Sequence, residues 1–335
     1  MYPVKNSKLH TLINETWYTQ NFLTQVLKPV SWIFCGIVAV RRTLYSLKIF
    51  KSTKLVVPVI VVGNISVGGT GKTPLVIWIA KFLKESGFAP GIVSRGYLGK
   101  AKSWPQQVRP DSDPVIVGDE AILISRQADC PMAVGPDRVA AGQALLKYSD
   151  CDIIISDDGL QHYALQRTLE VIVVDGVRRF GNGYCLPAGP LRETTSRLDK
   201  ADFVVTNGIA SQGEFAMRYS GKVLVNLLDA DSKLMLSEFK NTQVHAISAI
   251  GNPQRFFDYL RGQGLNIIKH TFPDHYMYSQ NDIEFEDDLA VVMTEKDAVK
   301  CQRYQVKNYW YLPINVEMKK EFGLRLLDKI GDRDG

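Results

Sequence analysis

From Val56 onward, short runs of β-branched and other apolar residues alternate with stretches of helical period, and the alternation continues nearly to the end of the chain. The runs predict strands at Val59 to Val62, Gly91 to Ser94, Val115 to Val117, Met132 to Val134, Asp152 to Ser156, Val171 to Val174 and Phe203 to Thr206. Between the first two, Pro74 to Ser86 places Leu75, Ile79, Phe82 and Leu83 at helical spacing and meets Gly87, a stop signal. Continuous apolar strands joined by helices predict an α/β fold with a mostly parallel sheet and helices on both faces. A smaller α/β series follows, with strands at Val244 to Ile250, Asn266 to His270, Leu289 to Met293 and Trp310 to Leu312 and a helix at Pro253 to Gly262. The polar stretch Asn207 to Gly213 is the natural boundary. The expected organisation is therefore an N-terminal segment (1–54), a larger α/β domain (55–208) and a smaller one (209–335), as suits a chain of 335 residues.

Composition narrows this picture only a little. With 45% hydrophobic and 22% charged residues the chain reads as globular, neither disordered nor polytopic. The net charge of +5 is uneven: residues 1–54 hold Lys5, Lys8, Lys28, Arg41, Arg42, Lys48, Lys51 and Lys54 against Glu15 alone, which is +7 and leaves the rest at −2. Basic residues gathered in one terminal segment suit an anionic surface better than nucleic acid, which calls for a stripe over the folded body. Cys35, Cys130, Cys151, Cys185 and Cys301 form no C-x-x-C pair, so a reducing compartment is expected, with neither a zinc nor a disulfide site.

The same N-terminal segment contains Pro29 to Val40, twelve residues without a charge, followed by Arg41 and Arg42. Crossing a bilayer takes about 20 apolar residues, and a secretory signal places its positive residues before the apolar stretch. The segment therefore reads as an interfacial anchor, with Trp17, Tyr18, Trp32 and Tyr45 at headgroup level and the basic residues on anionic lipid. A core helix of a soluble protein is the alternative.

The strongest chemical signal is Val59 to Pro74, VIVVGNISVGGTGKTP, a strand running into a glycine-rich loop and then a helix. This is the context of a P-loop. Ser66, Val67, Gly68, Gly69, Thr70, Gly71, Lys72 and Thr73 would wrap the phosphates of ATP or GTP, with backbone N–H groups and the helix start facing phosphate oxygens. Lys72 would reach the β- and γ-phosphates and Thr73 would offer its hydroxyl to Mg²⁺. Ser66 stands where the general motif has its first glycine. Asp152 to Gly159, DIIISDDG, supplies the acidic partner at a strand end, where Asp157 or Asp158 would serve the metal. A P-loop brings electrostatics but no base, so a carboxylate or imidazole is needed for a hydroxyl acceptor. Asp119 is a candidate, placed after an expected strand and before the helix Ala121 to Ile124; it is equally readable as a helix N-cap. The irregular stretch Gly176 to Glu193 brings Arg178, Arg179 and Arg192, which would clamp phosphate oxygens or lie solvated on the surface. Of five histidines only His275, in Phe272 to Tyr276, sits in a site-like segment. Thr294 to Asp297, TEKD, would touch a base or ribose or merely start a surface helix.

Taken together, GNISVGGTGKTP (63–74), SRGY (94–97), VGDE (117–120), SDDGLQH (156–162), FGNGYCLPAGPLRE (180–193), AIGNP (249–253), FPDH (272–275) and TEKDAVK (294–300) resemble the tetraacyldisaccharide 4′-kinases of lipid A biosynthesis, in order and across nearly the whole chain beyond residue 55. In that family the position of Ser66 is serine or threonine. The resemblance implies a P-loop kinase domain and a smaller domain closing over it. It also implies transfer of the ATP γ-phosphate to the 4′-hydroxyl of a tetraacylated disaccharide 1-phosphate at the cytoplasmic face of the inner membrane. Matched motif by motif, it implies Asp119 and His275 as a catalytic pair, Lys72 and Thr73 on the phosphates, Asp157 and Asp158 at Mg²⁺, and Glu120 and Glu193 as further polar contacts. The implied partners are the lipid A disaccharide precursor and anionic inner-membrane lipids, with no nucleic acid and no obligate protein partner. Two other readings stay open: a membrane-associated P-loop GTPase or switch, and a nucleotide-binding scaffold without chemistry.

Overall fold

The computed structural model describes residues 16–19, 21–304, 306–313 and 315–334. Lys5, Lys8 and Glu15 of the charge pattern lie outside them. By internal contacts the chain divides into two compact units: one holds the chain up to Lys72, Ile153–Met217 and the segment from Lys319 on, the other Thr73–Asp152 and Arg218–Met318. The units are interleaved along the sequence, whereas the expected boundaries after residues 54 and 208 were cuts along it.

In the first unit, strands β1 (Val59–Gly63), β5 (Ile153–Asp157), β6 (Leu169–Asp175), β7 (Phe203–Asn207) and β8 (Phe215–Tyr219) run parallel in the order β8-β7-β6-β1-β5. Every residue of β1, β5 and β6 is buried, which is why these strands read as unbroken apolar runs with no alternation. Helix α1 (Phe22–Ser46) is opened by an Asn21 capping box and contains Pro29 in its interior. It is twice the length of the charge-free stretch that predicted it. Among the described residues it is the one helix long and apolar enough to cross a membrane, and only 11% of its most apolar stretch is buried.

In the second unit, β2 (Pro90–Ser94) pairs parallel with β4 (Met132–Val134), and β3 (Gln106–Val108) adds to β4 antiparallel. The helices here are α2 (Lys72–Glu85, counted from its second residue), α3 (Pro114–Val117), α4 (Asp119–Ala128) and α5 (Arg138–Tyr148). A six-stranded sheet runs β10-β9-β14-β13-β11-β12, from β9 (Val223–Asn226), β10 (Lys233–Met235), β11 (Gln243–Ser248), β12 (Asn266–Thr271), β13 (Ala290–Thr294) and β14 (Tyr309–Leu312). Val244 and Ala246 of β11 face α6 (Pro253–Gly262) through Phe256, Phe257 and Leu260; Ile247 on the other face packs with Tyr278, Met293 and Cys301. Short helices α7 (Gln280–Ile283) and α8 (Glu295–Cys301) complete the unit, and α9 (Lys320–Asp334) belongs to the first, packing Phe322 edge-on against Phe203 and tilted against Phe215.

The expected mostly parallel α/β architecture is present. One strand assignment was wrong. Val115 to Val117 lies in α3, because Asp113 caps Val115 N–H and Pro114 sits in the first turn, both helix-start devices. Five short strands, β3, β8, β9, β10 and β15 (Val316–Met318), went unpredicted, since polar or half-buried segments of three to five residues carry no period of their own.

Candidate active site

The first cluster lies in the first unit, around the loop after β1. Gly68 and Gly71 take φ of +108° and +102°, and a Cβ on Gly71 would meet Asn207 Nδ2 at 2.5 Å, so this turn admits only glycine. Asn64, fully buried, donates from Nδ2 to the carbonyl oxygens of Ser66 (2.7 Å) and Gly68 (3.4 Å), and Asn207 donates to that of Thr70 (3.1 Å). The loop is thus shaped by two side-chain amides. Lys72 Nζ lies 3.4 Å from both Asn64 Oδ1 and Asp158 Oδ1, and Arg192 Nη1 lies 3.4 Å from Asp158 Oδ1. Asp157 is buried at the end of β5.

The stretch Gly176 to Glu193 braces this loop. Val67 N–H donates to Pro190 O (2.8 Å) and Arg192 N–H to Ile65 O (2.7 Å), with a bridge between Ser66 and Leu191. On its other side it carries α1, through Ser31 Oγ to Cys185 O (2.6 Å) and Lys28 Nζ over the Tyr184 ring. Its charged residues divide by role. Arg178 lies close to Gly68, its Nη1 3.7 Å from where a Cβ there would stand. Arg179, an expected phosphate clamp, is instead committed to Glu214 by two hydrogen bonds of 2.7 and 2.9 Å, and that hydrogen bond, with others from Thr206 and Ser211, holds the Glu214 carboxyl down at about 2. Glu193 is buried and takes Gln161 (2.9 Å), Tyr163 (2.7 Å) and Arg197 (3.5 Å), while Gln161 also donates to Asn64 O. Its carboxylate is spent on protein donors that hold the loop.

The second cluster lies in the second unit. Gly118, at φ +95°, precedes α4, and a Cβ there would stand 2.7 Å from Tyr97 O. Gly118 therefore occupies the cap position, and Asp119 is the first helical residue, beyond a helix and not at a strand end. Asp119 is 7% exposed, accepts from Glu120 N–H (2.9 Å), and lies 3.0 and 3.1 Å from His275 Nδ1 through its two oxygens. His275 sits at φ +60° with its ring 5.2 Å from that of Tyr97. Burial pushes the Asp119 carboxyl up, but the His275 hydrogen bond and the charges of Lys296, His275 and Lys300 outweigh it and hold it at about 2. Burial pushes His275 down, and the hydrogen bond and charge of Asp119, with Asp274, win against it and against Lys296, so it ends above its ordinary 6.5. The two shifts agree on an attractive pair.

Lys296 completes the cluster. Its Nζ donates to Glu120 Oε1 (2.9 Å) and Asp274 Oδ1 (3.0 Å) and lies 3.3 Å from His275 Nε2, with 9% of the side chain exposed. TEKD is thus not a surface helix start: every residue of α8 is buried, and Thr294 caps it by accepting from Asp297 N–H (3.2 Å). Glu120, expected to face substrate, pairs with Lys296. Asn64, Asn207 and Lys296 are the residues that motif reading passed over. The first followed a glycine at a strand end and the last stood inside a quoted motif, so both had a local signal; Asn207 had none.

The family model for tetraacyldisaccharide-1-P 4′-kinase matches residues 23–331. The tetraacyldisaccharide 4′-kinase of Nitrosococcus oceani is 51% identical over 321 residues, covering 96% of this chain and 95% of that one; that of Methylobacillus flagellatus is 46% identical over 320 residues, 95% of each. The crystal structure of LpxK from Aquifex aeolicus in complex with ATP covers 92% of this chain and 99% of that one, with a TM-score of 0.77 and 30% identity. Matched over nearly its whole length in sequence and in fold, the chain belongs to the tetraacyldisaccharide 4′-kinase family.

Proposed function

We propose that this chain transfers the γ-phosphate of ATP to the 4′-hydroxyl of tetraacyldisaccharide 1-phosphate, forming the 1,4′-bisphosphorylated lipid at the cytoplasmic face of the inner membrane. Ser66 to Thr73 hold the triphosphate by backbone N–H groups, with Lys72 on its outer phosphates. Arg178 and Arg192, at the rim of the same loop, add positive charge for phosphate oxygens. Asp119 orients the acceptor hydroxyl and takes its proton, and His275 orients the carboxylate through Nδ1. Glu120, Asp274 and Glu193 hold these groups in place through Lys296 and Gln161.

The oxygen donors Thr73, Asp157 and Asp158 fit Mg²⁺, a hard cation that prefers carboxylate and hydroxyl oxygen; a buried carboxylate at a strand end suits it. Bound with ATP, the ion would neutralise charge growing on the phosphate oxygens. Helix α1 presents Phe22, Val26, Val30, Ile33, Ile37 and Val40, all more than half exposed, along one helical stripe, which supports docking on the anionic leaflet where an acylated substrate resides.

The observation that carries the reading is the Asp119–His275 contact of 3.0 Å: a nucleotide switch or scaffold has no use for a buried carboxylate kept ionised by an imidazole. The test is transfer of labelled γ-phosphate from ATP with Mg²⁺ to detergent-dispersed tetraacyldisaccharide 1-phosphate. We expect a labelled bisphosphorylated lipid from the intact protein and a loss of about 10²- to 10⁴-fold in kcat for Asp119→Ala. Absence of lipid product from folded, ATP-binding protein would overturn the proposal and favour the GTPase alternative.

A further inference from the structure

Lys296 makes a contact that the reaction as written does not use. Its Nζ stands 3.3 Å from His275 Nε2, while the opposite ring nitrogen, Nδ1, stands 3.0 Å from Asp119. An ammonium group only donates hydrogen bonds, so Nε2 must offer it a lone pair. An ionised carboxylate only accepts, so Nδ1 must carry the proton. The Asp119 contact calls for a proton on Nδ1 and the Lys296 contact for none on Nε2, and together they fit the neutral imidazole protonated on Nδ1.

The charges around the ring pull in opposite directions. From α4, Asp119 and Glu120 face it; from its own loop, Asp274, 3.8 Å from Nε2; from α8, Lys296, with Lys300 one turn on; and the Tyr97 ring closes the side. Asp119 and Asp274 favour an imidazolium. As an imidazolium, His275 would lock Asp119 in an ion pair and leave it a poor proton acceptor. As the neutral ring it spends one N–H on Asp119, and the carboxylate's other lone pairs remain for a hydroxyl. Lys296 is the group that opposes the second proton, and it reaches the ring only because Glu120 and Asp274 hold its buried ammonium in position.

We propose that Lys296 is a positioning residue that keeps His275 neutral and protonated on Nδ1, so that Asp119 stays available as the proton acceptor. The role rests on the kinase reading above. It predicts that removing the ammonium allows the second proton onto Nε2 and moves the protonation midpoint of His275 upward.

The experiment is ¹⁵N NMR of the full chain, labelled at histidine, with the His275 signals assigned by His275→Asn and followed through a pH titration in the wild type, Lys296→Gln and Lys296→Arg. At pH 8 the wild type should show a protonated Nδ1 and an unprotonated Nε2. Lys296→Gln should raise the midpoint by about one pH unit, and Lys296→Arg, which still only donates, should retain the wild-type tautomer. In parallel, Lys296→Gln should lower kcat roughly tenfold or more, with KM for ATP unchanged and the acid limb of the rate profile moved to higher pH. An Nε2–H tautomer in the wild type, or an unchanged midpoint in Lys296→Gln, overturns the proposal. If Lys296→Gln does not fold, the wild-type tautomer tests the proposal without any variant: a ring protonated on Nδ1 alone supports it and a ring protonated on Nε2 overturns it. Should the tautomer and midpoint behave as expected but the wild type transfer no phosphate to lipid, the kinase reading fails and the assignment of Lys296 to the His275 ring does not.

Discussion

At Asp119 two opposing influences meet, burial that resists a charge and the His275 hydrogen bond with the charges of Lys296 and Lys300 that sustain it, and the charge survives. The consequence is a working form with Asp119 ionised and His275 neutral. Since His275 lies above histidine's ordinary 6.5, this form is lost as pH falls through that raised midpoint, while Asp119, at about 2, does not titrate anywhere in the assay range. We therefore expect kcat to decline on the acid side with a midpoint above 6.5, and His275→Asn to remove that limb while lowering the plateau. A pH–rate profile of both proteins checks this; a wild-type midpoint at or below 6.5 would contradict it. The residues quoted from VGDE and FPDH were legible one at a time, as a carboxylate before a helix and a histidine in a turn. Their pairing was not, because 156 positions separate them and no local pattern encodes a contact at that distance. Glu193 is the converse case, an acidic residue in a motif whose partners, Gln161, Tyr163 and Arg197, make it a strut of the phosphate loop.

Helix α1 has two faces with separate tasks. Thr24 and Ser31 are buried, and Ser31 ties the helix to the carbonyl of Cys185, in the brace that hydrogen-bonds the phosphate loop through Pro190. The opposite stripe is apolar and open to solvent. Burying one such side chain in an apolar medium is worth about 1.5–3 kcal/mol, so the double substitution Ile33→Asp/Ile37→Asp should weaken binding to anionic vesicles by roughly 100-fold or more. Cosedimentation measures this. Phosphotransfer to detergent-dispersed substrate should remain within about twofold of wild type, because neither residue belongs to the packed face. A twelve-residue uncharged run pointed to this helix but understated it, since Asn21 starts it earlier and the basic residues Arg41 and Arg42 are carried inside it. The error at Val115 to Val117 has the same origin: three apolar residues satisfy either period, and the capping carboxylate of Asp113 decides between them.

Over the whole molecule, ligand binding should register as stability. ATP at one hundred times its dissociation constant adds about 2.7 kcal/mol to the native state, enough to raise Tm by several degrees. The Lys72→Ala variant should lose most of that shift, whereas Asp119→Ala should keep it, and calorimetry with and without ATP separates the two. A shift retained by Lys72→Ala would remove the lysine from the phosphates. What the sequence determined by itself was much of the local structure: most strand and helix periods, the glycine turn after β1, the adjacent acids at the end of β5 and an apolar N-terminal anchor, because period, turn conformation and capping act over a few residues. What only the tertiary structure decided was which charges face one another. Asn64 and Asn207 shape the phosphate loop, Arg179 is withdrawn into an ion pair with Glu214, and Lys296 stands against the ring of His275. Those outcomes depend on burial and on distances between segments far apart in the chain, and the energy of a charge is set by the partners that folding brings within a few ångströms of it.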